Sequence, residues 1–221
     1  ATSTAPFLIG CGGHTVGAFV PEGLEAPIDA VDYLNTRSNA ALPIVECTGH
    51  VLHRSWQAID HIERSIGWDA EVLPVHVSPE AFVHPSAVLD TTRGPILIGR
   101  NVSVGALSVI EGPVALGDGS IVKPHAHVRS CAFGPHTRVG GEIDSSIVQE
   151  YANKQHYGFV GHSYIGAWVN LGAGTTSSNL KNTYGHVRVL VPWGEEDSQR
   201  QLLGMCIGEH TKSAIGTLFP T

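Results

Sequence analysis

His156, Asn170, the run Gly172-Ala173-Gly174 and Asn179 fall within one short stretch of the chain, and their types suit a definite chemistry. Imidazole titrates near neutral pH, so it takes or gives a proton under working conditions. Glycines let a ligand come close to the main chain, where fixed N–H groups, with an asparagine amide nearby, stabilise a developing oxyanion. Moving an acyl group from a thioester to an amine needs both parts: a base for the amine's proton and donors for the oxyanion. Taken alone, His156 has a second reading as a turn histidine satisfied by water.

These residues need a scaffold, and composition bounds it. In 221 residues, Lys plus Arg number 13 against 20 Asp plus Glu, a net charge of −7, which removes the basic footprint of a nucleic-acid binder. The chain is 42% hydrophobic and 15% charged. It contains no apolar run approaching the roughly 18 residues of a membrane helix. Gly 26 and Pro 13 point to many tight turns and few long helices. Cys11, Cys47, Cys131 and Cys206 are dispersed without a CxxC pair, so neither a zinc knuckle nor a disulfide framework is expected, and a reducing, cytoplasmic setting fits. There is no leader-like start. The missing initial Met, and an end that falls inside a repeat, lead us to expect a fragment.

The repeat has a period of six. Aliphatic residues open successive blocks at Ile98, Val104, Ile110, Leu116, Val122 and Val128; the register resumes at Phe133 and Val139, and again at Ile165, Leu171 and Ile207. Six residues accommodate one short strand and one turn, with the opener inward, which predicts a β-solenoid whose coils share a continuous core. Residues 1–74 lack the period. Pro6 to Gly13 reads as a strand and a Gly-rich turn, and Trp56, Ile59, Ile62 and Ile66 fall on one face of a helix that Gly67 would end. This gives two parts: an N-terminal extension over 1–74 and a β-helix domain over 75–221. The extension is either the tail of an upstream domain with a linking helix or a cap on the first coil. Val191 to Arg200, with its Pro, Gly and acidic run, reads as a loop thrown out from the solenoid.

The hexapeptides resemble those of the hexapeptide-repeat transferases, and the resemblance implies a mainly β fold: a left-handed parallel β-helix with three strands per coil, here with a partly helical N-terminal extension. The segment from Asn153 to Asn182 is similar, without a gap, to the acetyltransferase half of bifunctional sugar-1-phosphate uridyltransferase/glucosamine-1-phosphate N-acetyltransferases, and to related sugar-nucleotide enzymes. The likeness implies that His156 is the catalytic base. It places Asn170, Gly172, Ala173 and Gly174 in the segment that holds substrate and acetyl-CoA, and Asn179 near the reacting centre. Pro124-His125-Ala126-His127-Val128-Arg129 resembles a family segment that puts a phosphate-holding arginine at Arg129, a role that a bidentate guanidinium suits. The chain departs from the family pattern at Asp144-Ser145, where a phosphate-contacting lysine is usual, at Phe159, where a tyrosine is usual, and at Leu180.

The expected activity is therefore acetyl transfer from acetyl-CoA to the amine of an amino-sugar 1-phosphate, by a homotrimer. Mg²⁺ would enter only with an upstream nucleotidyltransferase domain, and Gly10-Cys11-Gly12-Gly13 does not supply its nucleotide loop. One alternative is a non-catalytic solenoid that trimerises or senses a sugar nucleotide. The other, a γ-type carbonic anhydrase, needs three imidazoles on zinc, and the spacings of His156 with His162 and of His125 with His127 do not resemble that class. His125, His136 and His210 read as turn histidines at the surface, His162 as no more than an indirect contributor, and Trp168 as an outward packing residue.

Overall fold

The computed structural model describes residues 5–20 and 42–221, and the chain divides into two compact units, Ala1–His53 and Arg54–Thr221. In the first, Phe7–Cys11 (β1) and His14–Phe19 (β2) form an antiparallel hairpin, and Ile44–Glu46 (β3) adds to β1 in parallel. The loop is Gly12-Gly13, with φ of 55° and 81°. Only glycine takes two successive left-handed positions without strain, and this loop geometry matches the twist of the flanking strands.

The second unit opens with a 3-10 turn, Ser55–His61, that runs into a helix, Ile62–Val72 (α1). Trp56, Ile62 and Ile66 are buried, as their spacing predicts. Gly67 does not end the helix, which continues a further turn; glycine weakens a helix by about 1 kcal/mol, and packing of the apolar stripe outweighs that. Ile62 and Ile66 pack on Leu97, with Ala115, Ala132 and Ile147 beside it, on the outside of one solenoid face.

From Val77 onward the chain winds as a parallel β-solenoid with three faces, matching the left-handed β-helix that the family resemblance implies. The first face stacks Phe82–Val83, Ser103–Val104, Ile121–Val122, Arg138–Val139 and Asn153–Lys154. The second stacks Val88–Asp90, Val109–Glu111, His127–Arg129, Glu142–Asp144 and Phe159–Gly161. The third stacks Ile96–Ile98, Val114–Leu116, Ala132–Phe133, Ile147–Val148, Tyr164–Ile165 and Cys206–Ile207. All eleven opening residues identified from the repeat lie in one buried core. Three hexapeptides make a coil, so Ser103 pairs with Ile121; shorter turns then pair Arg138 with Asn153. Between Tyr164 and its partner Cys206 a long excursion intervenes. It is not an open loop: Arg188–Val191 and Gly194–Asp197 pair as an antiparallel hairpin, in which the consecutive Glu195, Glu196 and Asp197 side chains face alternate sides of the strand.

From Gly119 to Gly174 each corner holds one left-handed residue, about three per coil. His125, His136 and His210 sit at such positions with φ of 60°, 58° and 58°, all exposed. Trp168, 53% exposed, stacks between Tyr151 and His210, and Tyr151 stacks on His136, so these corner rings form an outward ladder.

Candidate functional site

The edge between the first and second faces carries the turn 155–158. Directly above it, one coil later, runs the turn 171–174: the Leu171 N–H donates to Asn153 O at 2.8 Å, and the Gly174 N–H to Tyr157 O at 3.2 Å. His156 and the Gly-Ala-Gly segment are thereby brought into adjacent layers, with Asn170 bridged to Asn153 on the first face. The glycines answer to packing before any ligand. A Cβ on Gly172 would lie 2.5 Å from Ala214 O, and one on Gly174, whose φ is +74°, 2.8 Å from the Tyr157 hydroxyl. Two of the three N–H groups are also taken, because the Gly172 N–H donates to Ser213 Oγ and the Gly174 N–H to Tyr157 O. Among the described residues the Ala173 N–H has no protein acceptor, which singles it out as the oxyanion donor of the segment. The exposed ring of His156 makes no hydrogen bond to another described residue.

Side chains of the second face point outward in two rows. Val109, His127, Glu142 and Phe159 stand nearer the His156 edge, and Glu111, Arg129, Asp144 and Gly161 stand one pleat further on. Arg129 does not present an empty fork. Its Nε donates to Asp144 Oδ1 at 3.1 Å and its Nη2 to Asp144 Oδ2. Burial acts to raise the Asp144 pKa, but bonds from Arg129 and Ser145 hold it below the ordinary carboxylate range. The Asp144 bond, and then the Glu111 and Glu142 carboxylates, raise that of Arg129 against its partial burial. His127 Nε2 meets Glu111 Oε1.

Asn179 lies across the face from His156. Its Nδ2 is 2.9 Å from His162 Nδ1, at the edge between the second and third faces. The strand Phe159–Gly161 intervenes, roughly 10 Å at about 3.3 Å per residue. One chain therefore does not bring Asn179 against His156. His162, expected to contribute only indirectly, is the ring that Asn179 holds; it lines a cavity of about 450 Å³ with Ser130, Ser145, Asp60, Glu63 and Arg64. Burial lowers its pKa, Asp144 opposes that and Arg129 adds to it. The sequence places His162 and Asn179 far apart, and only the coil length stacks them.

Lys154 is the residue that pattern reading missed. It pairs with Val139 at the inward position of the first face and is 5% exposed, in a column otherwise aliphatic. The short preceding block breaks the six-residue phase and hid the position. Burial pulls its pKa down to about 8 from an ordinary 10.5. Below pH 8 the folded and unfolded chains both carry the proton, and the fold bears the desolvation cost. Between about pH 8 and 10.5 the unfolded chain holds a proton that the folded chain has released, so stability rises with pH through this window. At about 1.36 kcal/mol per unit, the gain is at most roughly 3 kcal/mol. Urea melts at pH 7 and pH 10 should show wild type gaining on Lys154→Met; a constant gap would contradict the buried cation.

Among the described residues no three His, Cys, Asp or Glu side chains are grouped to hold a metal ion, and no helix is long and apolar enough to cross a membrane.

Residues 95–130 match the family model for the bacterial transferase hexapeptide (six repeats). The chain is 31% identical over 117 residues to the bifunctional protein GlmU of Synechococcus sp. (strain RCC307), covering 52% of this chain and 25% of that protein. It is 30% identical over 163 residues to the protein of that name from Bordetella parapertussis, covering 57% and 36%. The chain thus spans a quarter to about a third of the length of these relatives. The structure of Arabidopsis UDP-N-acetylglucosamine acyltransferase, 17% identical and covering 64% of this chain and 60% of that one, aligns with a TM-score of 0.18.

Proposed function

We propose that the chain, whose residues 95–130 match the bacterial transferase hexapeptide model, transfers an acetyl group from acetyl-CoA to the amine of a sugar-derived acceptor, an amino-sugar 1-phosphate in the reading its sequence supports. The observation that carries this is the layering of the His156 turn beneath the Gly172–Gly174 turn, in which, among the described residues, the Ala173 N–H is the one of the three without an acceptor. A thioester lying along that edge meets an unspent donor, while an amine on the second face faces an exposed imidazole. His156 takes the amine's proton as nitrogen attacks the thioester carbon. The Ala173 N–H stabilises the oxyanion, and collapse expels the CoA thiolate. Asn170 flanks this edge from the first face. Asn179, across the face, completes a site with His156 only if the ligand spans the face or a neighbouring copy supplies one of the two, and a cyclic homotrimer meets that need. The resemblance of the Asn153–Asn182 segment to sugar-nucleotide enzymes supports a place in sugar-nucleotide synthesis.

A phosphate on the acceptor must compete with Asp144 for Arg129. Asp144→Asn should therefore lower KM for a phosphorylated amino sugar by about tenfold, the scale of one charge-assisted contact, and leave that for acetyl-CoA unchanged. An unaltered KM would remove Arg129 from phosphate binding. The engaged Arg129 and the unheld ring of His156 also favour a second reading, a solenoid that binds a sugar nucleotide without chemistry. Thiol release from acetyl-CoA over a panel of amino-sugar phosphates decides: turnover supports the transferase, and binding without turnover the second reading.

A further inference from the structure

We infer that Lys154 is a positioning residue for His156, clamping from inside the solenoid the turn on which that base stands; the inference rests on the acyl-transfer reading above. Val83, Val104, Val122 and Val139 precede Lys154 in its inward column. An aliphatic side chain there would fill the core at no electrostatic cost, whereas a buried ammonium loses its hydration. No carboxylate pairs with it among the described residues. What the lysine gains is two backbone carbonyls: Nζ donates to His156 O at 2.7 Å and to Gly140 O at 2.8 Å. These belong to two stacked turns of the same edge. A Cβ on Gly141, whose φ is +71°, would lie 2.9 Å from Nζ and 2.9 Å from His156 O, so the amine is packed closely against the turn.

The aim of His156 has to come from its backbone, because no hydrogen bond to a described residue fixes the ring. Holding the His156 carbonyl inward fixes the plane of the His156–Tyr157 peptide and so turns the imidazole outward, under the Gly172–Gly174 layer. Two N–H donors meet two acceptors, so the neutral amine and the ammonium both make the clamp. A core residue that spends stability and returns it only as contacts to the turns of one edge marks a functional position rather than a structural one.

The test is Lys154→Met in the full chain, with Lys154→Gln, which keeps two N–H donors without the charge. For Lys154→Met, exchange of the Glu142 and Gly174 amides, which donate to the Gly158 and Tyr157 carbonyls of that turn, should rise at least tenfold while Ile121–Val122 and Ile147–Val148, in other coils, stay protected. Its kcat should fall tenfold or more, with KM for acetyl-CoA within twofold, because misplacement of a base costs the chemical step. Lys154→Gln should recover part of both losses. Wild-type kcat in Lys154→Met, or a lowered kcat with the turn still protected, overturns the inference. If Lys154→Met does not fold, Lys154→Gln decides alone: a protected turn with partial activity supports the clamp, and a loosened turn with wild-type kcat overturns it. Should wild type transfer no acyl group, the acyl-transfer reading fails, and the exchange arm by itself upholds or overturns the clamp.

Discussion

His156→Ala is expected to lower kcat by about 10²–10⁴-fold, the usual worth of a positioned general base, with little loss of stability. The ring is exposed on a turn and makes no hydrogen bond to a described residue, so its removal opens no cavity and strands no partner. Acetyl-CoA affinity should persist, since the Ala173 N–H and the Gly172–Gly174 turn remain, and that separates a chemical role from a binding role. His162→Ala should cost far less, because that ring lies at the opposite edge of the second face, against Asn179. The acceptor's own ammonium must also lose a proton, so the acid limb of the pH profile belongs to the pair of groups rather than to His156 alone. Single-turnover rates of thiol release, with acetyl-CoA affinity by calorimetry, check the expectation. An active His156→Ala enzyme removes the base assignment and leaves the non-catalytic solenoid as the better reading.

Leu116→Asp is expected to unfold or aggregate the second unit outright. Leu116 is 3% exposed and stands in the inward column of the third face, between Ile98 and Phe133. Burial of such a side chain contributes about 1.5–3 kcal/mol, and an ionised carboxylate in its place adds a desolvation cost of several kcal/mol that no neighbouring cation offsets. Whole domains are stable by only about 5–15 kcal/mol, and coils that pair only with their neighbours transmit the loss along the stack. Leu107→Asp makes the contrast. Leu107 is 56% exposed at a left-handed corner, φ 59°, a conformation that Asp tolerates, so its urea midpoint should match wild type. Circular dichroism in urea distinguishes the two variants. A folded Leu116→Asp protein would mean that the repeat is set in the wrong register.

Much of this architecture was legible because the repeat carries it locally. An aliphatic opener every sixth residue specifies which side chains turn inward, and the eleven openers share one core without exception. The corner histidines at 125, 136 and 210, the Gly12-Gly13 hairpin and the buried stripe of Trp56, Ile62 and Ile66 follow from the same short-range physics of φ, pleat and helical spacing. So does the adjacency of His156 to the Gly-Ala-Gly segment, which lies about one coil downstream.

What no local pattern contains is which outward groups meet across coils. That depends on the length of every intervening turn, and here those lengths vary. Asp144 reaches Arg129 because fifteen residues, rather than eighteen, separate them in register; one residue more in that turn would turn the carboxylate inward and leave the guanidinium free. The same shortening brings Lys154 into a valine column and its amine beneath His156. Asn179 comes to rest on His162 rather than near His156 because the second face lies between the two edges. The sequence by itself determined the solenoid, its inward residues and the edge proposed to carry the chemistry. The partner of Arg129, the partner of Asn179 and the support under His156 were decided by the tertiary structure alone, since hydrogen bonds and ion pairs act over about 3 Å and only the stacking of coils sets distances that small between residues so far apart in sequence.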